Sequence, residues 1–106
     1  MLDHNHEKYK GWLQPWQRNG SLYNVFPATG ENLRRVGEWN QEEITAKGSK
    51  ITVVLNGKTL VEADVSTVTD PAVLKKHPGL LRKSGRIGFL GHNSRVEFRN
   101  IAVKRL

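Results

Sequence analysis

Apolar and polar residues alternate along much of the chain, which is the pattern of β-strands with one buried face. Ile51, Val53 and Leu55 are a clear case, because single residues separate them and they therefore lie on one side of a strand. β-Branched residues are frequent in these runs, so helix is a poor alternative. The alternation predicts six strands, over residues 21–26, 42–47, 50–55, 58–63, 85–90 and 95–104.

Two short turns connect the three central strands of this prediction. Gly48-Ser49 separates the first from the second, and Asn56-Gly57 separates the second from the third. Asn-Gly is a strong hairpin signal, because both central residues of a type I′ turn need a positive φ, which asparagine and glycine tolerate. The spacing predicts a three-stranded antiparallel meander.

Residues 64–84 interrupt the strand pattern with prolines. Asp70 precedes Pro71 and is placed to cap a short helix, in which the proline takes the first helical position. We expect a long surface connection that carries this helix, and no helix of more than about three turns in the chain.

The alternation changes phase near the C-terminus. Val96 and Phe98 lie at even positions, whereas Ile101 and Val103 lie at odd ones. One extra residue in a strand exchanges its two faces. The slip therefore predicts a β-bulge at residues 99–100.

Composition narrows the functional classes. The chain of 106 residues is long enough for one domain, and its hydrophobic content of 37% permits only a small core. The absence of cysteine excludes thiol catalysis, iron–sulfur clusters and zinc fingers. No apolar run is long enough to cross a membrane, and the first residues lack the basic and apolar regions of a signal peptide.

The formal net charge of +7 raises nucleic acid as a partner. The basic residues are scattered in pairs such as Arg34-Arg35 and Lys75-Lys76, and acidic residues lie among them. A nucleic-acid interface would gather the positive charges on one face. We therefore interpret the charge as a mildly basic, solvated surface and expect no nucleic-acid partner.

Several short motifs follow one another in a specific order. They are Gly37-Glu38-Trp39-Asn40, Leu55-Asn56-Gly57, Gly85-Arg86-Ile87-Gly88-Phe89, Gly91-His92-Asn93 and Val96-Glu97-Phe98-Arg99-Asn100-Ile101. In this order and spacing the chain resembles the 3-keto-disaccharide hydrolase family, whose domains are concanavalin-like jelly rolls. The resemblance implies an all-β fold, an antiparallel β-sandwich, and a carbohydrate as the partner molecule.

The resemblance also implies that the domain is incomplete. Family domains are nearly twice as long, and Leu2-Asp3 matches the end of a family strand that carries a Glu-x-Gln pattern. We therefore expect residues 1–106 to be a single partial domain, the C-terminal half to two-thirds of the jelly roll. Missing strands would leave an open sheet edge, so we expect a homo-oligomer. We expect the full-length parent protein to be periplasmic or secreted.

The function that the resemblance implies is the cleavage of 3-keto-glycosides. The C3 carbonyl acidifies the proton at C2, a base removes that proton, the glycosidic oxygen leaves C1, and water adds to the product. This chemistry needs a base, an electrophile for the developing enolate and an acid for the leaving oxygen.

Asp3 and His92 are the candidate catalytic residues. His92 follows a predicted strand in a glycine-containing loop, and an imidazole suits acid or base chemistry near neutral pH. Asp3 could act as the partner base or as a metal ligand. His4 and His6 could hold a divalent metal together with Asp3, but two histidines form only part of such a site, so we assign no metal.

Arg18, Tyr23, Trp16 and Asn93 are the candidate substrate-binding residues. Arginine could polarise the keto oxygen, tyrosine could donate a hydrogen bond to it, and tryptophan could stack on a sugar face. A surface arginine and core aromatic residues are the structural alternatives. Asn93 belongs to the motif Gly91-His92-Asn93.

Two other functions stay open at this point. The chain could be a non-catalytic carbohydrate-binding module, which would have the same fold and an aromatic platform but no working base. It could also be an interaction fragment that completes its sandwich by oligomerisation. The sequence leaves it undecided whether the chain is an enzyme.

Overall fold

A computed structural model describes residues 7–91 and 93–106, which contain one three-stranded antiparallel sheet. The strands are β1 (Glu42–Lys47), β2 (Lys50–Leu55) and β3 (Lys58–Asp64), in the order β1-β2-β3. The predicted central strands are therefore confirmed, with one further residue at the end of β3. The regular structure of the described residues is mostly sheet with little helix, which agrees with the predicted all-β class, but they do not show a second sheet.

Both turns of the meander have the backbone geometry that their residues favour. Asn56 and Gly57 have φ values of 49° and 83°, so both central residues of the β2–β3 turn are left-handed, as a type I′ turn requires. In the β1–β2 turn Gly48 has a φ of 61°. The predicted meander and its turns are confirmed.

A β-bulge interrupts the pairing of β2 with β3. Val53 is opposite Val61 and Val54 is opposite Thr59, so Leu60 is the extra residue. A bulge breaks the strict alternation of faces, and Leu60 and Val61 are accordingly both buried. The irregularity adds a second apolar side chain to the core at this position.

The core lies on one face of the sheet. Its buried members are Ala28, Val53, Leu55, Leu60, Val61 and Ala63, and Leu22, Phe26, Leu33 and Ile51 pack against them. The segment that precedes β1 thus covers β2 and β3. Thr29 anchors it, because its backbone N–H and its hydroxyl donate to the Leu60 carbonyl at 2.7 and 2.9 Å.

The helices are short, as expected. Helix α1 (Pro71–Lys76) begins after Asp70, whose side chain accepts a hydrogen bond from the Ala72 N–H at 2.8 Å. The predicted N-cap and the proline at the first helical position are confirmed. Three single turns of 3₁₀ helix occupy Glu7–Tyr9, Pro15–Gln17 and Val65–Thr67. No helix in the described part of the chain is long and apolar enough to span a membrane.

Three predicted strands, over residues 21–26, 85–90 and 95–104, do not form in the structure. The first is a tight turn closed by a single bridge between Leu22 and Phe26, with Asn24 at a φ of 61°. The other two carry the right alternation but pair with none of the described strands. A strand needs a neighbour to satisfy its backbone groups, so alternation alone does not produce one.

The two C-terminal segments nevertheless approach each other. The rings of Phe89 and Phe98 lie 4.4 Å apart between centroids. Asn100 has a φ of 53°, so the backbone is irregular where the phase slip occurs. The prediction of a β-bulge at residues 99–100 is wrong, because a bulge requires a paired strand and these residues have none among the described strands. The bulge of the described sheet is at Leu60.

Candidate functional site

An open cleft of about 400 Å³ lies between the turn after the second 3₁₀ helix and the loop after α1. Its lining residues are Leu22, Tyr23, Val25, His77, Gly79 and Leu80. Leu22 also packs against the core, so one wall of the cleft is continuous with the folded sheet. The lining residues are largely apolar, and His77 and Tyr23 are the two among them that carry polar side chains.

His77 is held in the cleft by its place at the end of α1. Its N–H donates to the Val73 carbonyl at 2.9 Å, and its own carbonyl accepts from the Leu80 N–H at 3.0 Å. The Nε2 atom of His77 is buried and has no hydrogen-bond partner among the described residues. A buried polar nitrogen without a partner is costly, so a rotation of the His77 ring that brought this atom to a polar group would be favoured.

The importance of His77 could not be inferred from its sequence neighbourhood, Lys76-His77-Pro78, which favours a surface loop. The Asp70-Pro71 cap predicts where α1 begins, and His77 directly follows the last residue of this helix. The residues of the opposite wall of the cleft, however, are more than fifty positions away in the chain. The contact between residues 22–25 and residues 77–80 is therefore a product of the tertiary fold.

Tyr23 lines the cleft from the opposite side and is 62% exposed. Its hydroxyl oxygen accepts a hydrogen bond from the Gln17 side chain at 3.2 Å, which joins the turn to the preceding 3₁₀ helix. Ser21 strengthens this join, because its hydroxyl donates to the Pro15 carbonyl at 3.3 Å and accepts from the Ala28 N–H at 2.9 Å. Tyr23 is thus positioned by local contacts and is not a core residue.

Trp16 and Arg18 belong to the same compact segment but do not line the cleft. Trp16 lies in the 3₁₀ helix Pro15–Gln17 and is partly exposed. The guanidinium of Arg18 lies 3.9 Å from the carboxylate of Glu31. The structure therefore groups three of the predicted substrate-binding residues in one segment and brings one, Tyr23, to the cleft.

The remaining predicted site residues lie away from the cleft or outside the described residues. Asp3, His92 and the histidines at positions 4 and 6 lie outside the described residues. Asn93 is exposed, with a φ of 56°. Within residues 7–91 and 93–106, no three potential metal ligands lie together. The catalytic assignments to Asp3 and His92 stay predictions.

The motif residues on the loop before β1 have structural contacts. The Glu38 carboxylate accepts from the Arg35 N–H at 3.0 Å and closes that loop. The guanidinium of Arg99 lies 3.9 Å from the centroid of the Trp39 ring, within the range of a cation–π contact. This contact connects the C-terminal segment to the loop that leads into the sheet.

A β-meander with one covered apolar face and an open cleft beside its core is consistent with an all-β domain. Comparison with protein families makes this more specific: a family model described as a 3-keto-alpha-glucoside-1,2-lyase-like domain matches residues 1–104. The chain belongs to this family.

A solved structure supports the same relationship. The chain is similar to a crystal structure described as "Putative glycosyl hydrolase from Parabacteroides distasonis ATCC 8503", with 34% sequence identity and a TM-score of 0.59. The alignment covers 65% of this chain and 35% of that one, so the chain matches about a third of the length of that protein. Comparison with curated proteins finds no match.

Proposed function

We propose that this chain is part of a carbohydrate-active domain that cleaves 3-keto-α-glucosides by elimination across C1 and C2. The observation that carries the proposal is the family match over residues 1–104. The cleft between Tyr23 and His77 supports it, because a pyranose ring has apolar C–H faces that pack on such walls and hydroxyls that require a few placed polar groups.

The proposed reaction is balanced without an external oxidant or reductant. A base removes the C2 proton, and the electron pair moves into a C2–C3 enolate that the keto oxygen stabilises. The enolate collapses to a C1–C2 double bond as the C1–O bond breaks, and an acid protonates the departing oxygen. Water then adds its hydroxyl to C1 and a proton to C2, which gives the free 3-keto sugar.

The residues have distinct proposed roles in this reaction. Asp3 and His92 are the proposed proton-transfer residues, with Asp3 as base and His92 as acid. Tyr23 and His77 are the proposed ring-binding residues, because both residues line the cleft. An imidazole nitrogen can accept from or donate to a sugar hydroxyl according to its tautomer, so a rotation of the His77 ring toward the cleft would give its buried Nε2 a partner.

Arg18, Trp16 and Asn93 stay proposed substrate contacts with weaker support from the geometry. Arg18 forms an ion pair with Glu31. To bind the keto oxygen, its guanidinium would have to leave the Glu31 carboxylate. A divalent metal is compatible with the proposed chemistry, since it could polarise the same oxygen.

The test is to incubate the full chain with a 3-keto-α-glucoside and with the same glucoside unoxidised at C3. Release of the aglycone from the keto compound alone supports the proposal. In D₂O the sugar product should carry deuterium at C2, because the proton that returns to C2 comes from solvent. Equal cleavage of both compounds, or product without deuterium, would contradict the elimination.

The same experiment distinguishes the proposed enzyme from the second candidate function, a carbohydrate-binding module without catalytic activity. Saturable binding of the keto compound without turnover, measured by calorimetry, would favour a carbohydrate-binding module. Cleft variants distinguish specific binding from adventitious binding: Tyr23→Ala and His77→Ala should weaken it, whereas the exposed substitution Lys104→Ala should not.

A further inference from the structure

Strand β1 has an edge to which no described residue is hydrogen-bonded, since its only partner in the sheet is β2. The edge on the other side of the sheet differs, because Leu60 of β3 forms a bulge there and its carbonyl accepts from Thr29. Strand β1 is regular over all of its six residues. A regular, unpaired edge is a template for another strand.

The apolar face of the sheet continues onto β1, where the described residues leave Ile44 and Ala46 exposed. Ile44 pairs with Val53 and Ala46 pairs with Ile51, so these side chains lie on the core face. Val53 is 4% exposed, whereas Ile44 is 56% exposed. The segment that covers β2 and β3 therefore stops short of β1, and a strand added at this edge would extend the apolar surface around Ile44.

The charges of β1 favour a second copy of the same strand. Residues directly opposite each other in an antiparallel pair share a face, so a two-fold axis perpendicular to the sheet must pair positions of equal parity. If the axis passes beside Thr45, Thr45 faces its own copy. Glu43 then faces Lys47 of the second copy twice, and Ile44 faces Ala46 twice.

The neighbouring registers lack this match. With the axis beside Ile44, Glu43 would face Thr45 and Glu42 would face Ala46 of the other copy. With the axis beside Ala46, Glu43 would face Ser49. Only the register centred on Thr45 pairs opposite charges on one face and apolar side chains on the other.

We propose that two copies of this chain associate through β1, in the antiparallel register centred on Thr45, to form a continuous six-stranded sheet. The occupant of the edge is thus a second β1, held by main-chain hydrogen bonds, two Glu43–Lys47 pairs and the Ile44–Ala46 contacts. This assembly does not depend on the proposed catalytic activity.

The charge pairs provide the first test. In light scattering or sedimentation, the chain should have twice its monomer mass of 12.0 kDa, and salt should weaken the dimer. Glu43→Lys and Lys47→Glu each place like charges opposite each other, and each should raise the dimer dissociation constant about tenfold or more. An equimolar mixture of the two variants should restore dimerisation, because all the charges are then paired with opposite ones.

The register provides the second test, since the chain has no native cysteine. The Cα atoms of directly opposite residues are roughly 4.5–5.5 Å apart, within the range of a disulfide. Thr45→Cys should therefore form a covalent dimer quickly under mild oxidation, whereas Lys47→Cys should not. Far-ultraviolet circular dichroism of each reduced variant checks that it is folded.

Three outcomes would overturn the proposal. The first is a wild-type monomer at high micromolar concentration. If the amides of β1 are then protected from hydrogen exchange, a segment of the same chain covers the edge. The second is failure of the mixed charge variants to associate better than either alone. The third is equal cross-linking at positions 45 and 47, which would exclude this register.

Discussion

The side-chain amide of Asn56 donates a hydrogen bond to Oδ1 of Asn40 at 2.8 Å and thereby joins the β2–β3 turn to the loop that enters β1. The same amide donates to the Asn32 carbonyl, and its oxygen accepts from the Gln41 N–H at 2.9 Å. Asn56 therefore forms the turn with its backbone, and its side chain holds three residues of the preceding loop at two places. Asn40 and Asn56 belong to two separate motifs of the sequence, and this contact gives both a structural role.

Replacement of Asn56 separates these two roles. Asn56→Gly keeps the freedom for positive φ but removes the side-chain hydrogen bonds, so we expect the free energy of unfolding to fall by about 1–3 kcal/mol. Asn56→Ala should cost about 1 kcal/mol more, because alanine is strained at positive φ. Urea denaturation measures both.

Asn100→Gly is the matched control for Asn56, because Asn100 also has a positive φ but lies exposed in a segment without a strand partner. It should change the free energy of unfolding by less than about 0.5 kcal/mol. An equal loss in both glycine variants would mean that the side-chain contacts of Asn56 contribute nothing.

Gly57→Val should lower the free energy of unfolding by at least about 1 kcal/mol. A Cβ at this position would meet no atom within 4 Å, so the cost comes from the φ of 83° and not from a collision. Gly85→Val is the control, because Gly85 has open space and no positive φ. An unchanged melting temperature for Gly57→Val would show that the turn tolerates another backbone geometry.

Asp64 should make stability depend on pH in the acid range. Hydrogen bonds from Ser66 and Ser49 hold the pKa of Asp64 below its ordinary value of 3.8. The unfolded carboxyl then binds a proton more readily than the folded one, so stability rises with pH through this range and is lost as pH falls below 3.8. Asp64→Asn should lower the melting temperature at pH 6, and its difference from wild type should shrink below pH 3.8. A difference that is constant over the whole pH range would contradict this linkage.

Glu42 should have the opposite effect. It lies opposite Leu55 on the apolar face of the sheet, and partial burial raises the pKa of Glu42 above 4.5. The folded state then binds the proton more readily, so this residue destabilises the protein as pH rises above 4.5. Glu42→Gln should raise the melting temperature at pH 7 and leave it unchanged at pH 3.5. Glu62→Gln, on an exposed position of β3, is the matched control for the loss of a carboxylate.

The proposed catalytic and binding residues should affect different kinetic constants. His92→Ala should lower kcat by about 10²–10⁴-fold if His92 transfers a proton, with the fold retained. His77→Ala should mainly raise KM, because the proposed contact of His77 is with the bound ring. Steady-state rates on a 3-keto-α-glucoside measure both. Near-wild-type kcat for His92→Ala would remove this residue from the mechanism.

Local sequence information was sufficient for the meander and for the capped helix. The alternation of Ile51, Val53 and Leu55, the Asn56-Gly57 turn and the Asp70-Pro71 cap all depend on interactions between neighbours in the chain. Short-range geometry decides such elements, so the sequence predicted their boundaries to within one residue. The family resemblance was also contained in the order of short motifs, and the family comparison confirmed it.

The tertiary structure decided the features that need a partner distant in sequence. The segments 85–90 and 95–104 alternate like strands, but a strand is defined by backbone hydrogen bonds to a neighbour, and the described sheet offers none to them. The bulge at Leu60 likewise depends on how β3 meets β2 and Thr29. His77 became a candidate only because folding brings it to the same cleft as Tyr23. Alternation specifies which face a side chain takes, whereas packing against a distant segment specifies what that face contacts.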